Sequence, residues 1–523
     1  MSGPSELVQA FHDRWNRHPT QSAIIILSLT FLLYRLLVTL RQYRRLRHFR
    51  GPPLAAVSNL WFLRVVTGRR GDLDLYRVSQ KYGSLARVGP NDLLSDDPEL
   101  WKRMLAVRSE YRRPDWYDGM RFNPAKNNVL SARDEDEHSK LRSKMKAGYS
   151  GREIENLENK LDENILRLFR LIDSYIDAGK PFDFGRKAQF FTLDVISDLA
   201  FGTPLGFLET DSDVHEYIKI MEESLPMFMA TTVYPWVIRL FASPLFRTLL
   251  PSEKDPLGLG KVMGIAKKEA AERFGPDKKV QRDMLGSFVA HGLTQEEAES
   301  EIILQIIAGS DTVATTIRAI VLFVITNPRV HARLFAEISS AASSTHSPLI
   351  TDAEARNLPY LQAVIKEGLR IFPPVAGIMP KEVPAAGDTW KGQFIPGGTR
   401  IGWSAWSIFR RENIWGTDAR EFRPERWLTK DQGGTTPEQQ LREMESTIDL
   451  MFSYGRYQCL GRPLALIELN KTIYELLRRY ELIVCDPLNP WESFNFGIHA
   501  QSNYWIRAYR REEYLTPRCF DME

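Results

Sequence analysis

Cysteine is scarce in this chain: three in 523 residues, Cys459, Cys485 and Cys519. Small secreted domains held by disulfides carry many more, in pairs, so that class is excluded and a reducing compartment is favoured. An excess of either charge is missing too. Lys plus Arg number 69 against 66 Asp plus Glu, a formal charge of +3. With no basic stripe interleaved with aromatics in the body of the chain, nucleic acid is not an expected partner. After Leu54 there is no internal repeat, low-complexity tract or long linker, which argues against a solenoid or a bead-string of domains. No G-x-G-x-x-G follows a strand pattern, so no dinucleotide-binding domain is expected. What remains is ordinary globular composition, 43% hydrophobic and 26% charged, enough for one large catalytic domain.

One long apolar run stands out. Ala23 to Leu40 reads AIIILSLTFLLYRLLVTL, and at about 1.5 Å per residue it spans roughly 27 Å, the thickness of a bilayer core with snorkelling ends. Arg41, Arg44, Arg45, Arg47 and Arg50 follow it, whereas Arg14 and Arg17 in front are offset by Glu6 and Asp13. The positive-inside rule then puts the body in the cytosol. A cleaved signal peptide is disfavoured by the polar lead and the lack of a small-residue cleavage site. The expected organisation is a lumenal segment 1–22, a transmembrane anchor 23–40, a basic and proline-rich hinge 41–55 ending in Gly51-Pro52-Pro53, and a catalytic domain 56–523.

Helical periodicity dominates that domain. Helices are predicted over Ile154 to Ile176, from Thr294 to Asn327-Pro328 with Glu297 completing a capping box, over Leu358 to Phe372, and from just after Cys459 through Arg479. Strand-like runs are short: Leu85 to Val88, Thr399 to Gly402, Leu482 to Cys485. The expected fold is mainly α with small β-sheets.

Phe452 to Gly461 reads F-S-Y-G-R-Y-Q-C-L-G and leads straight into a helix. Free N–H groups and the dipole at a helix amino terminus favour a thiolate, so Cys459 is expected to have a lowered pKa. Gly455 and Gly461 would let the backbone approach a flat ligand, and Phe452 could pack over the sulfur. F-x-x-G-x-x-x-C-x-G resembles the haem-binding signature of the cytochrome P450 superfamily, and the similarity extends from the Gly-Pro-Pro segment onward. The resemblance implies haem b with Cys459 as the axial ligand of iron, a thiolate whose electron donation favours O–O cleavage. It also marks a departure: relatives usually carry arginine two residues before the cysteine, against a haem propionate, and this chain has Tyr457 there with Arg456 one place earlier.

Ala308 to Thr312 reads A-G-S-D-T in the middle of the long helix. Ala308 and Gly309 leave space for a bulky group, while Asp311 and Thr312 make an acid–alcohol pair suited to proton delivery. The segment resembles the family's oxygen-activation motif. A small-residue packing notch between helices is the plainer alternative. Glu367 and Arg370 share a helix face, and with Arg426 of F-R-P-E-R-W they resemble the family's buried structural triad. His138 and Arg142 stand at i and i+4, and Lys381 follows G-I-M-P; all three are candidate propionate contacts. Leu304, Val375 and Ile378 are candidate pocket residues, with Trp116 to Asn128 and Phe494 to Phe496 as further wall segments.

The resemblance implies an O₂-dependent oxidation of a lipophilic small molecule, as in fungal secondary metabolism. No flavin or nicotinamide domain is visible. Electrons would therefore come from a separate NADPH-dependent cytochrome P450 reductase, with cytochrome b5 as a second donor, at the endoplasmic reticulum membrane. A haem-thiolate isomerase or dehydratase, or a non-enzymatic membrane haem protein, are the alternatives. Asn470-Lys471-Thr472 is a glycosylation sequon, which cytosolic placement would leave unused.

Overall fold

The computed structural model describes residues 18–243, 245–246, 250–342 and 348–511. Residues 1–17 of the expected lumenal segment 1–22, and Cys519, lie outside them. The first helix, α1 (Pro19–Arg45), carries the apolar run, and its large side chains from Ile24 to Leu40 are exposed. It runs past the expected anchor boundary, so residues 41–45 are helix rather than hinge. Arginines in the last turn suit the negative helix end. Arg87, itself buried, donates to the Gln42 and Tyr43 carbonyls, satisfying groups that a helix terminus leaves bare. The break falls later, over 46–52, before Pro53 opens a short 3-10 turn, Pro53–Ala56, in the first-turn position where proline costs no helical hydrogen bond.

In the body, β1 (Leu85–Gly89) and β2 (Asp92–Ser95) form a hairpin. Next come α2 (Glu135–Tyr149), capped by Asp134, and α3 (Phe184–Phe201), capped by Asp183. α3 is buried on nearly every side because it runs through the core, and its polar residues Lys187, Gln189, Asp194 and Asp198 are each paired there. The long helix α4 (Gln295–Ile325) starts at the predicted capping box: Glu297 N–H donates to Thr294 Oγ1 at 3.3 Å and Thr294 N–H to Glu297 Oε2 at 2.8 Å. α5 (Pro359–Ile371) ends before Pro373. Strands β3 (Gly377–Glu382) and β4 (Arg400–Ser404) complete a four-stranded sheet in the order β1-β2-β4-β3, with β2 and β4 parallel and Leu94 opposite Gly402. α6 (Arg462–Arg479) follows the cysteine segment. It leads into β5 (Tyr480–Val484), which pairs with β6 (Trp505–Arg510).

α4 packs on α3, α5 and α6, so the middle of the longest helix faces the amino-terminal end of α6 across the core. The predicted helix over 154–176 begins instead at Leu157. Asn156 is left-handed with φ 53°, and Ile154 closes a turn onto Gly151. The three strand-like runs are all strands, displaced by one or two residues.

Candidate active site

Between α4 and the cysteine segment lies a cavity of about 320 Å³. Leu304, Gln305, Ala308, Gly309 and Thr312 line one side, and Phe452, Cys459, Leu460, Gly461 and Leu464 line the other. The cysteine loop is closed by Cys459 N–H donating to the Phe452 carbonyl at 2.7 Å. The backbone N–H groups of Gly461 and Arg462 pull the thiol pKa down, as expected of a helix start. Burial is the larger effect, however, and the net shift is upward. The lowering expected of the helix start is present in those two N–H groups; the net rise is that of the free thiol, which opens onto the cavity.

Thr312 faces the cavity, and its hydroxyl donates to the Ala308 carbonyl at 2.8 Å, four residues back. Asp311 faces the other way. Its Oδ1 accepts from Gln189 Nε2 on α3 at 2.6 Å, and burial raises its pKa to about 6. Gly309 lines the cavity, but a Cβ there would lie 2.7 Å from Ile196 Cγ1. Close approach of α3 accounts for the glycine, so the packing notch is real. Ala308 supplies the open face.

At one rim the cavity gathers basic side chains. Arg113, His138, Arg142 and Lys381 all line it, with Trp101 beside them. Arg113 donates to the Val129 and Ala132 carbonyls, and its Nε has no partner. Lys381 Nζ, His138 Nδ1 and Trp101 Nε1 are likewise buried without partners. Tyr457 forms the floor of this group: Lys381 Nζ sits 3.1 Å from its ring centroid and the Arg113 guanidinium 4.8 Å from it. The Tyr457 hydroxyl donates to Glu135. Burial first, then the neighbouring cations, lowers the Lys381 pKa well below its usual value and the His138 pKa to about 3.

The sequence model of the family described as Cytochrome P450 matches residues 50–506. The chain belongs to the cytochrome P450 family. It is 40% identical to cytochrome P450 monooxygenase ABA1 of Pyricularia oryzae over 505 residues, covering 94% of this chain and 97% of that protein. It is 37% identical to cytochrome P450 monooxygenase aba1 of Botryotinia fuckeliana, over 88% of this chain and 91% of the other. Similarity to cytochrome P450 monooxygenase cicH of Emericella nidulans is 29% over 504 residues. The protein is an oxidoreductase of the monooxygenase type. Its family works with a haem iron held by a cysteine thiolate, a small-molecule substrate and a redox partner.

The residues present fit a haem. Buried polar nitrogens without partners are costly, so Lys381 Nζ, His138 Nδ1 and Arg113 Nε suit a ligand that brings carboxylates to that edge. Arg113 was not singled out by the sequence. It lies in a loop, and no spacing ties it to Cys459.

Four expected site residues lie elsewhere. The Arg456 guanidinium turns outward to the Val107 and Ser109 carbonyls and to Glu135, because those acceptors sit beside its short turn. Gly455 also misses the cavity. Its φ of 59° and a Cβ position only 2.2 Å from the Leu105 carbonyl explain the glycine. Ile378 lines a separate small pocket with Val65, Trp116, Met229 and Gly497. Asp311, as above, is behind the helix. Val375 and Leu304 do line the main cavity, together with Val129 and Leu130 from the loop before α2.

Glu367, Arg370 and Arg426 come together with no solvent exposure. Arg370 makes two bonds of 2.8 Å to the Glu367 carboxylate, and Arg426 Nε donates to it at 3.0 Å. The Arg423 backbone N–H and Trp427 Nε1 complete the set of donors. With every lone pair engaged, the carboxyl stays ionised despite burial, its pKa held below the usual value.

Proposed function

We propose that this protein is a membrane-anchored haem-thiolate monooxygenase that oxidises a lipophilic small molecule in fungal secondary metabolism, with Cys459 as the iron ligand. The observation that carries the reading is the opposition of Cys459 and the Ala308–Thr312 face across one cavity whose rim holds basic side chains with buried nitrogens lacking hydrogen-bond partners. Haem, when bound, supplies the binding and reductive activation of dioxygen. Every other role belongs to the chain.

Arg113, His138, Arg142 and Lys381 would neutralise and orient the two propionates. Tyr457 offers an aromatic floor in place of the usual arginine, its hydroxyl committed to Glu135. Ala308 keeps the opposite face open. The Thr312 hydroxyl, bonded to the Ala308 carbonyl at rest, is the group able to turn and hand a proton into the cavity. Asp311 would take up and pass on the proton behind it. The carboxyl faces Gln189, so transfer to Thr312 needs a side-chain rotation or a bridging water. Val129, Leu130, Leu304 and Val375 exclude water and select apolar substrates.

Electrons would come from a separate NADPH-dependent reductase, with cytochrome b5 as a further donor. The exposed apolar helix α1 would cross the endoplasmic reticulum membrane once, leaving the body cytosolic. Asn470 supports that side: it is 2% exposed and bonded to Asp352 and Gln362, so a glycan has no room there. The decisive test is the carbon monoxide difference spectrum of the reduced protein. A long-wavelength Soret band, absent from a folded Cys459→Ala variant, is expected. A band retained in the variant would rule out Cys459 as ligand.

A further inference from the structure

On α4, Glu297, Glu301 and Gln305 recur every four residues and share one face, each about 6 Å further along the axis. Glu297 stands at the surface end, where Lys144 donates to its two oxygens at 2.7 and 2.8 Å. Gln305 stands at the cavity end, lining the wall one turn before Ala308 and facing the Tyr149 hydroxyl. Glu301 lies between them, 1% exposed. One of its oxygens accepts the Val129 N–H at 2.6 Å; the other, Oε2, has no partner, and neither has Gln305 Oε1. Bare buried acceptors strung along one face are the usual setting of ordered water.

We propose that Glu301 is the proton-holding residue of a second, hydrated inlet to the cavity, running from Glu297 past Gln305 and Tyr149 and separate from Asp311. The step is a plain proton transfer. The O–H bond at Glu301 Oε2 breaks as a new one forms on the water beside Gln305, and the carboxylate regains a proton from water on the Glu297 side. Burial, aided by the Glu297 charge, pushes the Glu301 carboxyl up to about 8, so it carries its proton at neutral pH. Asp311, at about 6, is mostly ionised there. The inlet rests on the monooxygenase reading, whose chemistry consumes protons in this cavity.

Glu301→Gln keeps an acceptor for Val129 and loses the acid proton; Glu301→Ala loses both. The resting holoprotein is expected to show an infrared carbonyl band of a buried protonated carboxyl that disappears in Glu301→Gln while the carbon monoxide spectrum stays unchanged. In NADPH oxidation with reductase and no added substrate, Glu301→Gln should raise the peroxide released per NADPH about twofold, a small share of what a proton donor can contribute. It should also enlarge the solvent deuterium effect. A band that persists in Glu301→Gln overturns the proposal. So does normal peroxide yield in Glu301→Gln with a defect confined to Glu301→Ala, since that pattern belongs to a residue that only fastens the Val129 loop. Failure of the parent protein to oxidise NADPH at all would instead sink the monooxygenase reading, and the infrared band would still decide whether Glu301 holds a proton.

Discussion

Gln189 Nε2 donates to Asp311 Oδ1 at 2.6 Å, while the oxygen of the same amide accepts from Arg318 Nη2 at 3.0 Å. A neutral side chain thus stands between a buried acid and a buried guanidinium. Among the described residues Arg318 forms no ion pair. Desolvation consequently dominates at both ends: the Asp311 pKa rises to about 6 and that of Arg318 falls to about 10. An acid poised near neutrality is useful for proton delivery, and it is bought with stability.

That cost sets the first prediction. The folded-state pKa of Asp311 lies above its unfolded value of 3.8, so its stabilising contribution is complete below that value and is lost as pH rises through about 6. At 1.36 kcal/mol per pKa unit the loss is at most about 3 kcal/mol. Asp311→Asn should therefore melt higher than the parent at pH 7.5, with the advantage shrinking toward pH 4. Its NADPH-driven turnover should drop about 100-fold, the low end of what a positioned proton donor contributes. Equal melting curves at both pH values would refute the assignment of Asp311 as a desolvated, uncompensated acid.

Lys381 gives a prediction of the opposite kind. Its Nζ is buried over the Tyr457 ring without a hydrogen-bond partner, so Lys381→Met should stabilise the haem-depleted protein by about 1–3 kcal/mol, the cost of an unsatisfied polar group. The same variant should release haem to apomyoglobin about tenfold faster, because a carboxylate contact is lost. A slower release would show that Lys381 does not face a propionate.

Glu367 is the reverse case, a charge whose partners are complete. Glu367→Ala strands Arg370 and Arg426 and should destabilise the protein by about 3–5 kcal/mol. The expected readout is a collapse of haem content per polypeptide in the purified protein. Full haem content with unchanged melting would remove the triad from its structural role.

The anchor can be tested by fractionation. A chain beginning at Leu46 discards the exposed apolar helix but keeps the Gly-Pro-Pro segment and everything after it. It should move from the membrane pellet to a salt- or detergent-released fraction and retain its carbon monoxide spectrum. Loss of that spectrum would mean that the Arg87 contacts at the end of α1 are needed by the fold.

Much of the architecture was legible because it is written in short-range chemistry. The Thr294–Glu297 box, the proline stops and the three-residue spacing of Glu367 and Arg370 each act within one or two helical turns. The site was less legible. Arg456 was expected near the haem edge, yet it turns to the Val107 and Ser109 carbonyls, which no spacing relates to it. Arg113 reaches the rim from a loop, where periodicity carries no signal.

By itself the sequence determined the chain class, the apolar amino-terminal helix, the helix boundaries to within a few residues and the cysteine that stands before a helix, Cys459. Each follows from composition, from helical periodicity or from capping, which are properties of neighbouring residues. Only the tertiary structure decided which side chains meet at the cavity, that Asp311 answers to Gln189, that Glu301 holds the Val129 loop, and that Lys381 lacks a partner. Those facts depend on which elements pack together and on how much water they exclude. Burial then set the pKa values, raising that of Asp311 and lowering that of Lys381.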